Sequence, residues 1–104
     1  MSDDELYEYL GETFEWDVDK ARKNYMRHRV LFTEAATVFF DENVLYYKDE
    51  EHSEDEQRYI VIGRSRRDRR LFVVHILRGE RVRLISARNV TPLERSEYEA
   101  GLGR

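Results

Sequence analysis

Between residues 44 and 87 the chain holds four runs rich in β-branched and aromatic residues, at 44–47, 58–64, 71–77 and 81–87. Each has the length and composition of a single strand. An acidic loop at 49–56, an arginine-rich turn at 65–70 and Gly79-Glu80 separate them. Strands must pair, and connections this short join antiparallel neighbours. If Gly79-Glu80 form a two-residue hairpin turn, Arg78 faces Arg81, Ile76 faces Arg83 and His75 faces Leu84. That register places Ser86 and Arg88 on the His75 side, and Arg78, Arg81 and Arg83 on the other.

Helices are expected around this sheet. Residues 3–12 (DDELYEYLGE) read as a short helix from the spacing of Leu6, Tyr9 and Leu10, and Phe14-Glu15-Trp16 as a brief strand. Asp17 is suited to cap a helix running to His28, since its carboxylate accepts from the free amides of a first turn. On that helix Val18, Ala21 and Tyr25 form the expected core side, and Lys20, Asn24, Arg27 and His28 a polar stripe. Thr33 is expected to cap a second helix at 34–39. Thr91-Pro92-Leu93-Glu94 has the form of a capping box with proline at the first helical position, so a closing helix starts there. The fold class is therefore α+β, an antiparallel sheet with helices packed on one face. With 104 residues there is material for one core, so 14–104 is read as one domain and 1–13 as a helical N-terminal extension.

Charge divides the chain unevenly. Residues 1–57 carry 6 Lys/Arg against 17 Asp/Glu, whereas 58–104 carry 12 against 5. The basic half suits a polyanion such as RNA or an acidic protein; the alternative is that the halves neutralise each other in the fold. The apolar run at 71–77 is broken by His75 and is far too short to span a membrane. No cysteine is present, which excludes disulfides and thiolate metal sites. The acidic start Met1-Ser2-Asp3-Asp4-Glu5 is unlike a secretory signal, and a cytoplasmic protein is expected.

Three blocks then carry a family resemblance. FEWDVDKARKNYMRHRVLFTEAATVF, HSEDEQRYIVIGRS and LFVVHILRGERVRLISARNVTPLERSEYE resemble, in order and spacing, the blocks of BrnT-type toxins over residues 14–99. The resemblance implies a fold like that of RelE-type toxins. It also implies cofactor-free and metal-free RNA cleavage that inhibits translation, and neutralisation by a BrnA-like ribbon-helix-helix antitoxin. DNA would be met only through that antitoxin. Arg29 departs from the pattern, standing where a glycine follows the histidine.

Metal-free RNA cleavage needs a base for the 2′-hydroxyl proton, charge stabilisation at phosphorus and an acid for the leaving oxygen. Arg64 and Arg88, each at a strand end, are the first candidates for a phosphate clamp, because a guanidinium grips two oxygens at once. Lys20 and His28 on the helix stripe, His75 within an apolar strand, and Arg83 complete the catalytic candidates. For His75 a core role competes, and for Arg83 pairing with the acidic half. His52, Glu56 and Arg58 are either an acid–base group or a network that holds their loop. Arg66, Arg67, Arg69 and Arg70 form a basic turn expected to meet RNA phosphates without base specificity. Histidines at 28, 52 and 75 lack metal-ligand spacing, so no metal site is expected. Two other classes compete with the enzyme: a catalytically silent module that only binds the antitoxin, and a direct DNA-binding regulator. The second is disfavoured because no recognition helix is evident.

Overall fold

The computed structural model describes residues 3–102. Six strands, β1 (Asp4–Tyr9), β2 (Glu12–Asp17), β3 (Leu45–Asp49), β4 (Arg58–Arg64), β5 (Arg70–Arg78) and β6 (Arg81–Asn89), form one sheet in the order β1-β2-β6-β5-β4-β3. The helices are α1 (Val18–His28), α2 (Phe32–Thr37), extended by a 3₁₀ turn at Val38–Phe40, and α3 (Pro92–Leu102). The α+β class and the last four strands are as the residue pattern predicts. The sheet is mixed rather than wholly antiparallel, because β2 runs parallel to β6 through Thr13, Phe14 and Glu15.

The segment expected to be an N-terminal helix is instead an edge strand. Alternation decides it: Tyr7 and Tyr9 turn toward the core, while Asp4, Leu6 and Glu8 share the opposite face by register. Leu10 and Gly11, both at positive φ (49° and 87°), make the tight turn into β2. Leu6, Tyr9 and Leu10 satisfy a loose helical spacing, but a partner strand two residues downstream overrides it.

Asp17 caps α1 as expected, accepting from the Lys20 amide at 3.0 Å. The face of α1 differs from the expectation. Val18 and Tyr25 are substantially exposed, and Asn24 from the polar stripe is buried. The reason lies in β6. The pairing of β2 with β6 stops at Glu15, and after Asp17 α1 takes the place of β2 along β6. There the Asn24 side chain bonds both backbone groups of Ala87, donating at 2.9 Å and accepting at 3.0 Å, and also donates to the Val30 carbonyl at 3.2 Å. Arg29 ends α1 in the left-handed region (φ 57°), its amide donating to the Tyr25 carbonyl, so it adopts the conformation a glycine would favour.

The second helix starts earlier than expected, and Thr33 does not cap it; Leu31 precedes it with no side-chain cap bond. Its face places Phe32, Ala35, Ala36 and Val38 in the core with Phe14, Trp16, Val61 and Leu84. Gly63 permits the close approach, since a Cβ there would lie 2.9 Å from Val38 Cγ1.

The Gly79-Glu80 hairpin has the expected pairs Arg78–Arg81, Ile76–Arg83 and His75–Leu84. A bulge follows, with Val74 opposite Ser86, so Ile85 is left over. It corrects one expectation: Ser86 and Arg88 lie on the face opposite His75, opposite Val74 and Phe72. The capping box at α3 is reciprocal, Thr91 N–H to Glu94 Oε1 at 2.9 Å and Glu94 N–H to Thr91 Oγ1 at 3.2 Å. Not all helices share one face. α2 covers the face of Val61 and Gly63. α3 lies on the other, where Gly101 approaches Leu45 and the Tyr47 hydroxyl donates to Glu97 at 3.2 Å.

Candidate active site

Ion pairs consume much of the charge division read from the sequence. Arg69 pairs with Glu34, Arg78 with Glu56, Arg81 with Glu15, and Arg83 with both Asp4 and Glu15. Every one of these joins the acidic half to the basic half, so the neutralising alternative accounts for the partners of these four arginines. The cations that remain unpaired are therefore the informative ones.

Two of them meet on the sheet face opposite α2. A polar depression of about 440 Å³ there is lined by Lys20, Arg58, Arg78 and Arg83, by His52 and by the acidic residues Glu54, Asp55 and Glu56, with Ile76 and Ile85 also in its walls. β4 supplies Arg58, the β5–β6 hairpin supplies Arg78 and Arg83, α1 supplies Lys20, and the loop before β4 supplies His52 and Glu56. Among the described residues, neither the Lys20 ammonium nor the Arg58 guanidinium has an ion pair or side-chain hydrogen bond. The His52 ring faces the Asp49 carboxylate, Nδ1 lying 3.1 Å from both oxygens. Ser53 Oγ folds the loop, bonding the Asp49 carbonyl and accepting the Arg58 amide at 2.8 Å. Of the two sequence alternatives for His52, Glu56 and Arg58, the network is seen: Asp49 and Ser53 tie the loop, which brings the three residues to one depression.

Arg78 donates to Glu56 at 3.0 Å and holds that carboxyl below its ordinary range, so it is ionised at neutral pH. Arg83 is a strut. It donates to both Asp4 oxygens at 3.0 Å and to Glu15 at 2.6 Å, and these bonds raise its pKa further. It ties β1, β2 and β6 together at the wall of the depression.

The Arg64 and Arg88 pair sits elsewhere on this face. Arg64 is exposed, with Asp68 at 3.6 Å, and its amide donates to Asp41 at 2.8 Å. Arg88 is already engaged: both prongs go to Glu94, at 2.8 and 2.9 Å, and its guanidinium lies 3.9 Å over the Phe72 ring. A clamp with both arginines free is thus not preformed.

The arginine-rich turn divides as well. Arg66 and Arg67 are exposed and carry no ion pair among the described residues. Arg69 points inward, contrary to a solvated turn. It holds Glu34 through two donors and gives a further bond to the Arg29 carbonyl at 3.0 Å, while Ser65 Oγ donates to Glu34 at 2.7 Å. Arg70 is three-quarters covered, and among the described residues its Nε lacks a partner.

His28 is half-buried at the end of α1 and has no hydrogen bond or ion pair among the described residues. His75 is buried on the α2 face, away from Lys20 and Arg58. Its ring lies edge-on to Phe39 at 4.8 Å and stacks with Tyr59 at 5.8 Å. Burial pushes its pKa down to about 4, a backbone bond with Val73 opposing this only in part. The structure therefore gathers Lys20 and Arg83 from the catalytic candidates, and leaves Arg64, Arg88, His28 and His75 outside that group. Arg58, His52 and Arg78 were not among the chosen catalytic residues, although the spacing of His52, Glu56 and Arg58 in the second block pointed to the first two.

No helix among the described residues is long and apolar enough to cross a membrane. No curated protein matches the chain. A family model does: residues 16–94 match that of the ribonuclease toxin BrnT of type II toxin–antitoxin systems.

Proposed function

Because the chain belongs to the BrnT family of type II toxins, whose activity is that of a ribonuclease, we propose that it cleaves RNA at the Lys20–Arg58–His52 depression without a metal ion. The observation that carries this reading is the meeting of two unpaired cations with a carboxylate-held histidine, on a face where the neighbouring arginines are already neutralised.

The chemistry follows from the groups. His52, oriented through Nδ1 by Asp49, accepts the proton of the 2′-hydroxyl as that oxygen attacks the adjacent phosphorus. Arg58 faces the charge that builds on the non-bridging oxygens and offers two donors to it. The Lys20 ammonium gives a proton to the departing 5′-oxygen. The products are a 2′,3′-cyclic phosphate and a 5′-hydroxyl end. Arg78–Glu56 and the Arg83 strut position the walls, while Arg66 and Arg67, on the α2 side at the far end of β4, offer a separate contact for phosphates. Arg64 and Arg88 act here as supporting residues of the α3 end.

A protein antitoxin completes the reading. We assign it the BrnA-like ribbon-helix-helix class, so that DNA is reached only through the partner. Cleavage of RNA in the cytoplasm would inhibit translation. The test is incubation of the purified chain with RNA in excess chelator, followed by end analysis. Cyclic phosphate ends support the proposal; intact RNA under conditions where the chain is folded favours a silent binding module instead.

A further inference from the structure

The depression that holds Lys20 and Arg58 also holds charges of the opposite sign. Glu54, Asp55 and Glu56 stand in its lining, all three exposed and all from the loop between β3 and β4. Glu56 is engaged by Arg78 at 3.0 Å, and Arg83 by Asp4 and Glu15. The carboxylates of Glu54 and Asp55 form no ion pair or hydrogen bond among the described residues. The charges left over in the lining are therefore two cations, Lys20 and Arg58, and two carboxylates, Glu54 and Asp55. These share one depression without pairing, so each remains free to act on a third charge. Among the described residues, no three acidic or histidine side chains converge as a cation site, and the two carboxylates act as negative charge alone.

A phosphate entering this depression is drawn by one pair and opposed by the other. Coulomb energy is proportional to the charge of the ligand. An internal phosphodiester carries one negative charge, whereas a terminal phosphomonoester carries about 1.5 to 2 at pH 7. Lys20 and Arg58 alone would therefore favour the terminal phosphate and collect RNA ends. Glu54 and Asp55 cancel that advantage, because their repulsion grows with ligand charge in the same proportion. Glu56 is not part of this balance, since Arg78 returns its charge.

We propose that Glu54 and Asp55 are specificity-determining residues of the depression, making it take an internal phosphodiester of RNA in preference to a terminal phosphomonoester. This rests on the cleavage reading above and adds to it the charge state of the substrate. The acidic loop thus sets which phosphate is admitted, while Lys20, Arg58 and His52 act on it.

The test titrates the folded chain at neutral pH and low ionic strength with two probes that lack the attacking 2′-hydroxyl. One is 2′-deoxyuridylyl-uridine, a diester, and the other 2′-deoxyuridine 3′-monophosphate, a monoester; binding is followed through the His52 ring signals by NMR. The unaltered chain should bind the monoester no better than the diester. Glu54→Gln/Asp55→Asn should tighten the diester roughly three- to tenfold, and the monoester by about the square of that factor. Glu42→Gln/Glu99→Gln makes the same change of net charge away from the depression and should alter either affinity by less than about twofold. A tenfold preference of the unaltered chain for the monoester would overturn the proposal. So would unchanged or weaker binding in Glu54→Gln/Asp55→Asn, or equal tightening of the two probes. RNA cleavage in chelator by the same samples reports on the toxin reading separately: intact RNA alongside the expected probe preferences is a failure of that reading and not of this one.

Discussion

Asn24 on α1 serves as the strand neighbour that β6 lacks at Ala87. Its amide donates to the Ala87 carbonyl at 2.9 Å and accepts from the Ala87 amide at 3.0 Å, the two bonds a paired strand residue would make. All of these groups are buried, and each would otherwise be desolvated without a partner. This explains why a polar residue sits inside the helix–sheet junction, and why α1 is held where Lys20 reaches the depression.

Replacing Asn24 by leucine should therefore destabilise the protein despite the gain in hydrophobicity. It takes the side-chain partner from three buried backbone groups, the Ala87 amide, the Ala87 carbonyl and the Val30 carbonyl, and each one left unpaired costs about 1–3 kcal/mol, against which the added apolar burial counts. A loss of about 2–4 kcal/mol is expected from urea denaturation. A loss below about 0.5 kcal/mol would mean that water or a shifted strand takes over the bonds.

Glu34 and Arg69 should behave as a buried pair, not as surface charges. Removing Arg69 strands a carboxylate that is 6% exposed, and breaking such pairs costs about 3–5 kcal/mol. Arg69→Ala should thus lower the melting temperature strongly, whereas Arg66→Ala should barely change it. The pair also sets an acid limit. Burial pushes the Glu34 carboxyl up, but hydrogen bonds from Arg69 and Ser65 outweigh it and leave the pKa below 4.5. A depressed folded pKa contributes stability that is present above 4.5 and is lost as pH falls through the folded value. Denaturation from pH 7 to 3 should show that loss, and Glu34→Gln should flatten it.

His75 gives a separate pH dependence at milder acidity. Its folded pKa of about 4 lies below the ordinary 6.5, so the unfolded chain binds the proton first. Stability is full above 6.5 and declines as pH falls toward 4. The decline amounts to about 3 kcal/mol at most. His75→Phe should remove this slope between pH 6.5 and 4 without touching the loss attributed to Glu34. An unchanged slope in that variant would locate the titration elsewhere.

Arg88→Ala should act on α3. The side chain joins the end of β6 to Glu94 of the capping box, and Arg88 holds the Glu94 carboxyl below its ordinary range. Its loss should destabilise the fold by about 1–3 kcal/mol and speed amide exchange in α3. Any fall in RNA cleavage should be recovered where the variant is fully folded, at lower temperature. Cleavage abolished in a fully folded variant would instead assign Arg88 to phosphate binding.

Most of the sheet was legible because its signals are local. The runs that became β4, β5 and β6 are rich in β-branched and aromatic residues, and Gly79 at φ 60° fixes the hairpin that aligns two of them. The errors arise where the decisive contact is distant. The spacing of Leu6, Tyr9 and Leu10 serves a helix or a strand equally, and only pairing with β2 decides between them. Likewise, one extra residue at Ile85 turns Ser86 and Arg88 to the other face, and no residue type announces that bulge. Asn24 looked like surface because its partner is a backbone 63 residues away. The depression was only half legible, since Lys20, His52 and Arg58 come from segments that the fold alone brings together.

The most direct measurement is the single-turnover rate of RNA cleavage by purified Lys20→Ala, Arg58→Ala and Arg64→Ala, each checked for folding and assayed in chelator. Lys20 and Arg58 are unpaired, so their loss should leave melting almost unchanged. Removing one preorganised charge contact typically lowers a rate by about 10²–10³. Lys20→Ala and Arg58→Ala should fall by that order, with Arg64→Ala within a few-fold of the unaltered chain. Full activity in Lys20→Ala and Arg58→Ala, with Arg64→Ala inactive and folded, would contradict the account and move the site to the strand ends near α3.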